Sequence, residues 1–312
     1  MSKRMKRDWT ALDIPSQTDV TVVITGTGGI GYETALEMTR AGAEVIMAGR
    51  NEKKGTEAIK RIGHLIPGGT IRFEKLDLAD LASVTAFSAR MRTQLKSVDL
   101  LINNAAVMSP PRRKSTKDGF ELQWGTNYLG HFALTAQLLP LLIKASQPRV
   151  VTLSSIAHRS GTLHFDDLQS ERQYKPMEAY AQSKLACLMF ALELQRRSSA
   201  AGWGIKSMAA HPGLSRTELI PNGSGKNSLA GLVRRLFGPI FFQPASHGAW
   251  PSLFAATAKE ATGGTYYGPS RLNELRGYPA VAKIAPQALD SKNAARLWEE
   301  SERLTQVNFS SL

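Results

Sequence analysis

A tyrosine and a lysine four residues apart, Tyr180 and Lys184, are the pair in this chain best suited to moving a proton. The residues around them, about 178–197, read as a helix, because Leu185, Leu188, Met189 and Leu192 repeat at the spacing of one apolar helix face. Side chains four apart on a helix lie one turn from each other on the same side. An ammonium beside a phenol favours the phenolate. A free phenol titrates near about 10, and lowering that by about three units takes roughly 4 kcal/mol of differential stabilisation. One lysine supplies part of this; a second positive charge would supply more. Alone the pair is a weak signal, since both residue types are common on helix surfaces.

A second group of residues suits an anion. Gly26, Gly28 and Gly31 match GxGxxG in the run Gly26-Thr-Gly-Gly-Ile-Gly31, and a β-branched strand precedes it while a helical pattern follows. Glycines there permit a tight turn, close backbone approach to a pyrophosphate and close helix–strand packing, with helix N-terminal amides facing the charge. Gly29 and Ile30 lie in the same loop. The residue after the second strand separates the two nicotinamide dinucleotides: a carboxylate holds a ribose diol, a cation holds a 2′-phosphate. Here that residue is Arg50, followed by Lys53 and Lys54. A guanidinium pairs bidentately with phosphate, so NADP(H) is favoured over NAD(H). The other reading of Arg50 is a surface residue paired with Glu52.

The elements that must position these groups alternate. Strands are expected at Val20–Thr25, Ala43–Ala48, Thr70–Leu76, Ser97–Ile102, Arg149–Leu153 and Gly204–Ala209, with a last one at Gly263–Gly268. Helices are expected between them, among them Asn51–Ile66 and a long one over Phe120–Ala145. This order implies α/β architecture: a doubly wound parallel sheet of the Rossmann kind, about seven strands, with both faces covered. No linker divides the chain. The expected organisation is a flexible basic arm over 1–17, then a single domain over 18–312 with a variable C-terminal substrate lid at about 214–250.

With the glycine loop, Asn103-Asn-Ala-Ala106, Asn127, Ser155 and the Tyr180/Lys184 pair in this order, the chain resembles the short-chain dehydrogenases/reductases. The runs Asn127-Tyr-Leu-Gly-His-Phe132, Asp167–Tyr174 and Ala179–Ala186 bring it nearest the branch of retinol dehydrogenases and light-dependent protochlorophyllide reductases. The resemblance covers roughly residues 18–220. It implies an oxidoreductase that moves a hydride between nicotinamide and a lipophilic aldehyde, ketone or secondary alcohol, using a Ser155–Tyr180–Lys184–Asn127 tetrad. Tyr180 would be the general acid or base, Ser155 would hydrogen-bond the carbonyl or alkoxide oxygen, and Lys184 would assist the phenol and hold the nicotinamide ribose. Asn127 would position a water for proton relay. Asp77, beside Leu78, would bond the adenine amine, or else cap the next helix. Asn104 and Ala105 would line the cofactor. Pro212, Gly213 and Thr217 would flank the nicotinamide carboxamide. Two departures stand out. The phosphate loop is one residue shorter than the family's TGxxxGxG, and Asn104-Ala-Ala106 replaces Asn-Ala-Gly. The family also implies pairing through the helices of Asn127 and Tyr180, as homodimer or homotetramer.

Composition narrows the partners. One cysteine excludes an intramolecular disulfide framework and fits a reducing, cytoplasmic location. Cys187 is expected to be packed. No apolar run approaches the roughly 18 residues of a membrane span. The net charge of +13 suits a polyphosphate ligand. Lys and Arg are scattered without interleaved aromatics, which argues against nucleic acid. His131, His158, His164 and His211 lack ligand-like spacing, so no metal is expected. The basic apolar run Leu229–Phe242 reads as lid, or as a surface helix for membrane or a second subunit. Tyr266 and Tyr267 either border the substrate pocket or close the sheet edge. A non-catalytic NADP(H)-binding redox sensor is the alternative function; retention of Ser155, Tyr180 and Lys184 in register argues against it.

Overall fold

The computed structural model describes residues 8–215 and 242–309. Eight strands form one sheet: β1 (Thr21–Thr25), β2 (Glu44–Gly49), β3 (Ile71–Lys75), β4 (Leu100–Asn103), β5 (Arg149–Leu153), β6 (Lys206–Ala210), β7 (Tyr266–Arg271) and β8 (Arg276–Val281). Their order is β3-β2-β1-β4-β5-β6-β7-β8, parallel up to β7. The strand not foreseen is β8, which turns back antiparallel to β7 at the sheet edge. Its Gly277 and Pro279 read as breakers in the sequence, but Pro279 costs little in an edge strand, where one side of the ladder is empty.

Successive β1 side chains feed opposite faces: Val23 packs with Leu101 and Val150, while Val22 and Ile24 pack with Val45 and Ile102. That period of two is why a strand buried on both sides reads as an unbroken apolar run. Helices α1 (Gly29–Arg40), α2 (Glu52–Leu65) and, near the C-terminus, α6 (Ala245–Thr257) supply one face; α3 (Leu81–Gln94), α4 (Gly130–Leu142) and α5 (Pro176–Ala201) supply the other. Pro176 opens α5 at its first turn, where no amide donor is needed, and Gly202 closes it at φ +68. The long helix expected over 120–145 is in fact a π-helical turn, Trp124–Leu129, running into α4. Such turns add one residue per hydrogen-bonded ring and recur at functional positions.

The last helix, α7 (Ser291–Thr305), lies across α4 and α5. Trp298 meets Phe132 at 5.1 Å and Phe190 at 5.8 Å between ring centroids, and Phe309 seals the edge at 4.4 Å from Trp298. The outward face of α4–α5, through which pairing was expected, is thus filled by the chain's own C-terminus. The arm also differs from expectation. Trp9 is buried and meets Phe254 edge-on at 5.4 Å, and Thr10 caps a short 3-10 turn at Ala11–Asp13, so the segment from Trp9 onward is packed on α6. Burial of its indole offsets part of the freedom the arm loses. Among the described residues, no helix is long and apolar enough to cross a membrane.

Candidate active site

The sheet order reverses between β1 and β4, where a cleft of about 880 Å³ opens beyond the strands' C-terminal ends. The glycine loop forms one wall. Gly26 has φ +95, and a Cβ on it would stand 2.8 Å from Asn104 Nδ2; a Cβ on Gly31 would stand 2.6 Å from the same atom. Both lack a side chain so that the Asn104 amide can wedge between loop and helix, donating to the Thr25 carbonyl at 2.6 Å. Gly31 therefore packs behind the wall, while Gly26, Gly28, Gly29 and Ile30 line it. A Cβ on Gly28 would meet nothing within 4 Å. Gly28 caps α1 without a side-chain hydrogen bond, so the first amides of that helix have no side-chain acceptor at the cleft. The shortened loop thus still presents bare backbone to the cleft.

Arg50 follows β2 and lines the same cleft with Lys54. The alternative pairing with Glu52 is not formed, and Arg50 makes no hydrogen bond or ion pair to a described residue. Asp77 and Leu78 follow β3. Asp77 Oδ1 accepts from the Ala79 amide at 3.0 Å, and the capping of α3 falls to Asp80. Of the charged side chains that line the cleft among the described residues, Arg50, Lys54 and Lys184 are cations and Asp77 is the one carboxylate. That balance suits a polyphosphate.

Beyond β4, Asn104 and Ala105 line the floor, their amides donating to Thr25 Oγ1 at 2.9 and 3.0 Å. Ser155 follows β5 and caps the 3-10 turn Ile156–Ser160; its Oγ accepts from the Ala157 amide at 3.2 Å, which leaves the hydroxyl hydrogen for a partner in the cleft. Tyr180 and Lys184 reach the cleft from α5, with Lys184 Nζ 5.9 Å from the Tyr180 ring centroid and donating to the Leu153 carbonyl at 2.9 Å. The Tyr180 hydroxyl makes no hydrogen bond to a described residue. Pro212 and Gly213 come from the turn after β6. Gly213 sits at φ +62, and a Cβ there would strike the Leu275 carbonyl at 2.3 Å. Thr217, and most of the expected lid, lie outside the described residues.

Asn127 stands apart from the other expected residues. Its Oδ1 accepts from the Val107 amide at 2.7 Å, and its Nδ2 donates to the Val107 carbonyl and to Ser183 Oγ, each at 3.0 Å. With both ends engaged, the side chain braces Val107 from behind the cleft, and Asn127 itself does not line it. Tyr266 and Tyr267 are buried in the sheet, against His158 and His211 and against Phe254, and neither lines the cleft. Cys187 is packed as expected, burial pushing its thiol up, with Sγ donating to the Asn127 carbonyl.

Several contributors had no sequence signal. Met108, Ile156 and Met177 join Leu214 and Phe242, which fall within the expected lid, in giving the cleft an apolar mouth, with Ser109 Oγ donating to Met177 Sδ at 2.7 Å. Behind the wall are two buried histidines whose partners set their tautomers. His158 Nδ1 donates to the Ser155 carbonyl at 2.6 Å while Nε2 accepts from the Ala285 amide. His211 Nδ1 accepts from the Gly213 amide while Nε2 donates to Glu274, which also takes Arg159 and the Lys283 amide. Burial pushes both rings down and keeps them neutral. Glu274, at φ +69, belongs to three successive residues in the left-handed region, and these ties hold that turn.

Comparison with known proteins agrees with this geometry. A family model for short chain dehydrogenases matches residues 19–226. Among curated relatives, retinol dehydrogenase 13 of Mus musculus is 39% identical over 289 residues, covering 91% of this chain and 83% of that protein. The polyprenol dehydrogenase of Homo sapiens is 39% identical over 298 residues, covering 94% and 87%. The crystal structure of an uncharacterised protein from Mycobacterium paratuberculosis has a TM-score of 0.80 at 39% identity, covering 97% of this chain and 99% of that one.

Proposed function

This chain belongs to the short-chain dehydrogenase family, and from that premise we propose that it is an NADP(H)-dependent oxidoreductase acting on a lipophilic aldehyde, ketone or alcohol. The observation that carries the reading is the shared cleft: Ser155, Tyr180 and Lys184 open into the same space as the glycine loop and Arg50. The residues fit the dinucleotide, since the space beside Gly28 and the uncapped first turn of α1 would take the pyrophosphate. Arg50 and Lys54 would take a 2′-phosphate.

When bound, the nicotinamide would supply or accept the hydride at its C4. The chain's own groups handle the proton and the oxygen. The Tyr180 hydroxyl gives a proton to the carbonyl oxygen in reduction and takes it back in oxidation. Ser155 Oγ donates its remaining hydrogen to that oxygen, where charge develops. Lys184 brings positive charge to the phenol and would hold the ribose of the bound nucleotide. The apolar mouth, with Met108, Met177 and Phe242, sides with a hydrophobic substrate, as do the names of the retinol and polyprenol dehydrogenases. The test is loss of NADPH absorbance across a panel of long-chain and cyclic carbonyl compounds, with the reverse reaction on the corresponding alcohols. Turnover with the apolar members is expected. Tight NADPH binding without turnover on any of them would favour the redox-sensor reading.

A further inference from the structure

We infer that His131 is a positioning residue for the nucleotide cleft: its bare Nε2 orients the Thr25 hydroxyl and thereby sets the backbone at Asn104 and Ala105. The inference rests on the nucleotide-binding part of the function proposed above, and not on turnover.

His131 lies in the first turn of α4 and is 2% exposed. Its Nδ1 is 2.9 Å from the Asn127 carbonyl oxygen, which can only accept, so the ring's proton is on Nδ1. Burial pushes the imidazole down to about 4, helped by the Lys184 charge on α5, so there is no second proton. Nε2 is then an acceptor, 2.8 Å from Thr25 Oγ1. The other acceptor for the Thr25 hydrogen, the Ile102 carbonyl, is at 3.4 Å, near the limit of a hydrogen bond. With its hydrogen on His131, Thr25 Oγ1 has two lone pairs, and two amides use them: Asn104 at 2.9 Å and Ala105 at 3.0 Å. One hydrogen, two lone pairs and three partners account for every bonding position of that oxygen.

The consequence reaches the cleft. Asn104 and Ala105 line it, and the far end of the same segment, Val107, is held by the Asn127 side chain. One π-helical turn and the residue one turn beyond it thus fix both ends of the stretch on which the nucleotide would rest: Asn127 directly, His131 through Thr25. A histidine protonated on Nε2 would present a third donor to the same oxygen and displace one of the amides. His131 itself does not line the cleft.

The experiment compares NADPH dissociation constants, by cofactor fluorescence, of the full chain and of His131→Gln, His131→Asn and His131→Phe. Glutamine can set an amide oxygen where Nε2 stands; asparagine reaches only the Nδ1 position, and phenylalanine neither. Gln is expected to bind within about threefold of wild type, while Asn and Phe weaken NADPH about tenfold, the scale of one hydrogen bond. Thr25→Val, which also strands the Asn104 and Ala105 amides, should lose at least as much, and adding His131→Asn to it should cost nothing further. Wild-type affinity in Asn and Phe, a Gln loss equal to that of Phe, or losses that add would overturn the inference. Nitrogen-15 NMR of the wild-type chain reads the ring directly and holds if a variant fails to fold: a protonated Nδ1 and bare Nε2 are expected, and a proton on Nε2 overturns it. If wild type binds no NADPH, the functional reading fails, and the nitrogen signals alone decide the role of His131.

Discussion

On the function proposed above, Arg50 is the residue on which cofactor choice would turn. It stands where a carboxylate would serve a ribose diol, lines the cleft and has no partner among the described residues. Arg50→Asp exchanges attraction for repulsion at a 2′-phosphate and should weaken NADPH by about 2 kcal/mol, roughly 30-fold, while NADH changes little. Isothermal titration with each nucleotide measures this, and equal losses for both would remove Arg50 from phosphate recognition. Gly31→Ala offers a second test at this scale. Its Cβ would stand 2.6 Å from both Asn104 Nδ2 and the Gly26 carbonyl, so the wedge of Asn104 must give way. NADPH affinity should fall, whereas Gly63→Ala, whose Cβ would meet nothing within 4 Å on an exposed helix face, should leave it intact.

At the scale of elements, the C-terminal helix α7 is held by aromatic contact more than by polar bonds. Trp298 meets Phe132, Phe190 and Phe309, and Arg197 lies over its ring at 4.5 Å. Trp298→Ala should cost about 3–5 kcal/mol in urea unfolding, as other buried large-to-small changes do. Much of this layer was legible in the sequence, because local pattern encodes it: the apolar runs of β1, β2, β4 and β5, the strand–glycine–helix passage at Thr25–Gly31, and the apolar spacing from Leu185 onward. What was not legible depends on contacts distant in the chain. Nothing near Trp9 announces Phe254, and nothing near Arg276–Val281 outweighs a glycine and a proline until β7 offers its open edge. The same holds at the site. Tyr180 and Lys184 are one helical turn apart and readable as a pair, whereas His131 and Thr25, or His158 and Ala285, meet only once the sheet has brought their elements together. Asn127 was found by its motif, but its engagement with Val107 was not.

For the whole molecule, two consequences follow from what is buried. The faces of α4 and α5 are filled by α7 and Phe309, so a partner could use them only by displacing that cover. Sedimentation velocity at micromolar concentration should show the mass of one chain, and a stable dimer would mean that another surface pairs or that α7 moves away. The second consequence concerns acid. His131, His158 and His211 are buried and neutral, their folded pKa values held below the ordinary 6.5 first by desolvation. Above that value both folded and unfolded chains carry neutral rings, and stability is full. As pH falls below it the unfolded chain takes up protons that the folded chain refuses, so stability is lost progressively, for His131 down to about 4. His131 alone accounts for about 3 kcal/mol over that range. Glu121, whose carboxyl burial pushes up, works in the opposite sense. The urea midpoint should therefore fall between pH 7 and pH 4.5, and a flat profile would contradict the neutral histidines.

The measurement that bears most directly on the function is a paired one on Tyr180→Phe: NADPH affinity by fluorescence and turnover by absorbance, on the best carbonyl substrate of the wild type. Phenylalanine keeps the ring beside Lys184 and removes only the hydroxyl that would carry the proton. NADPH should bind within about threefold of wild type while turnover falls about 10²–10⁴-fold. Turnover that survives the substitution would show that the proton comes from somewhere other than Tyr180, and the mechanism proposed for this cleft would be wrong.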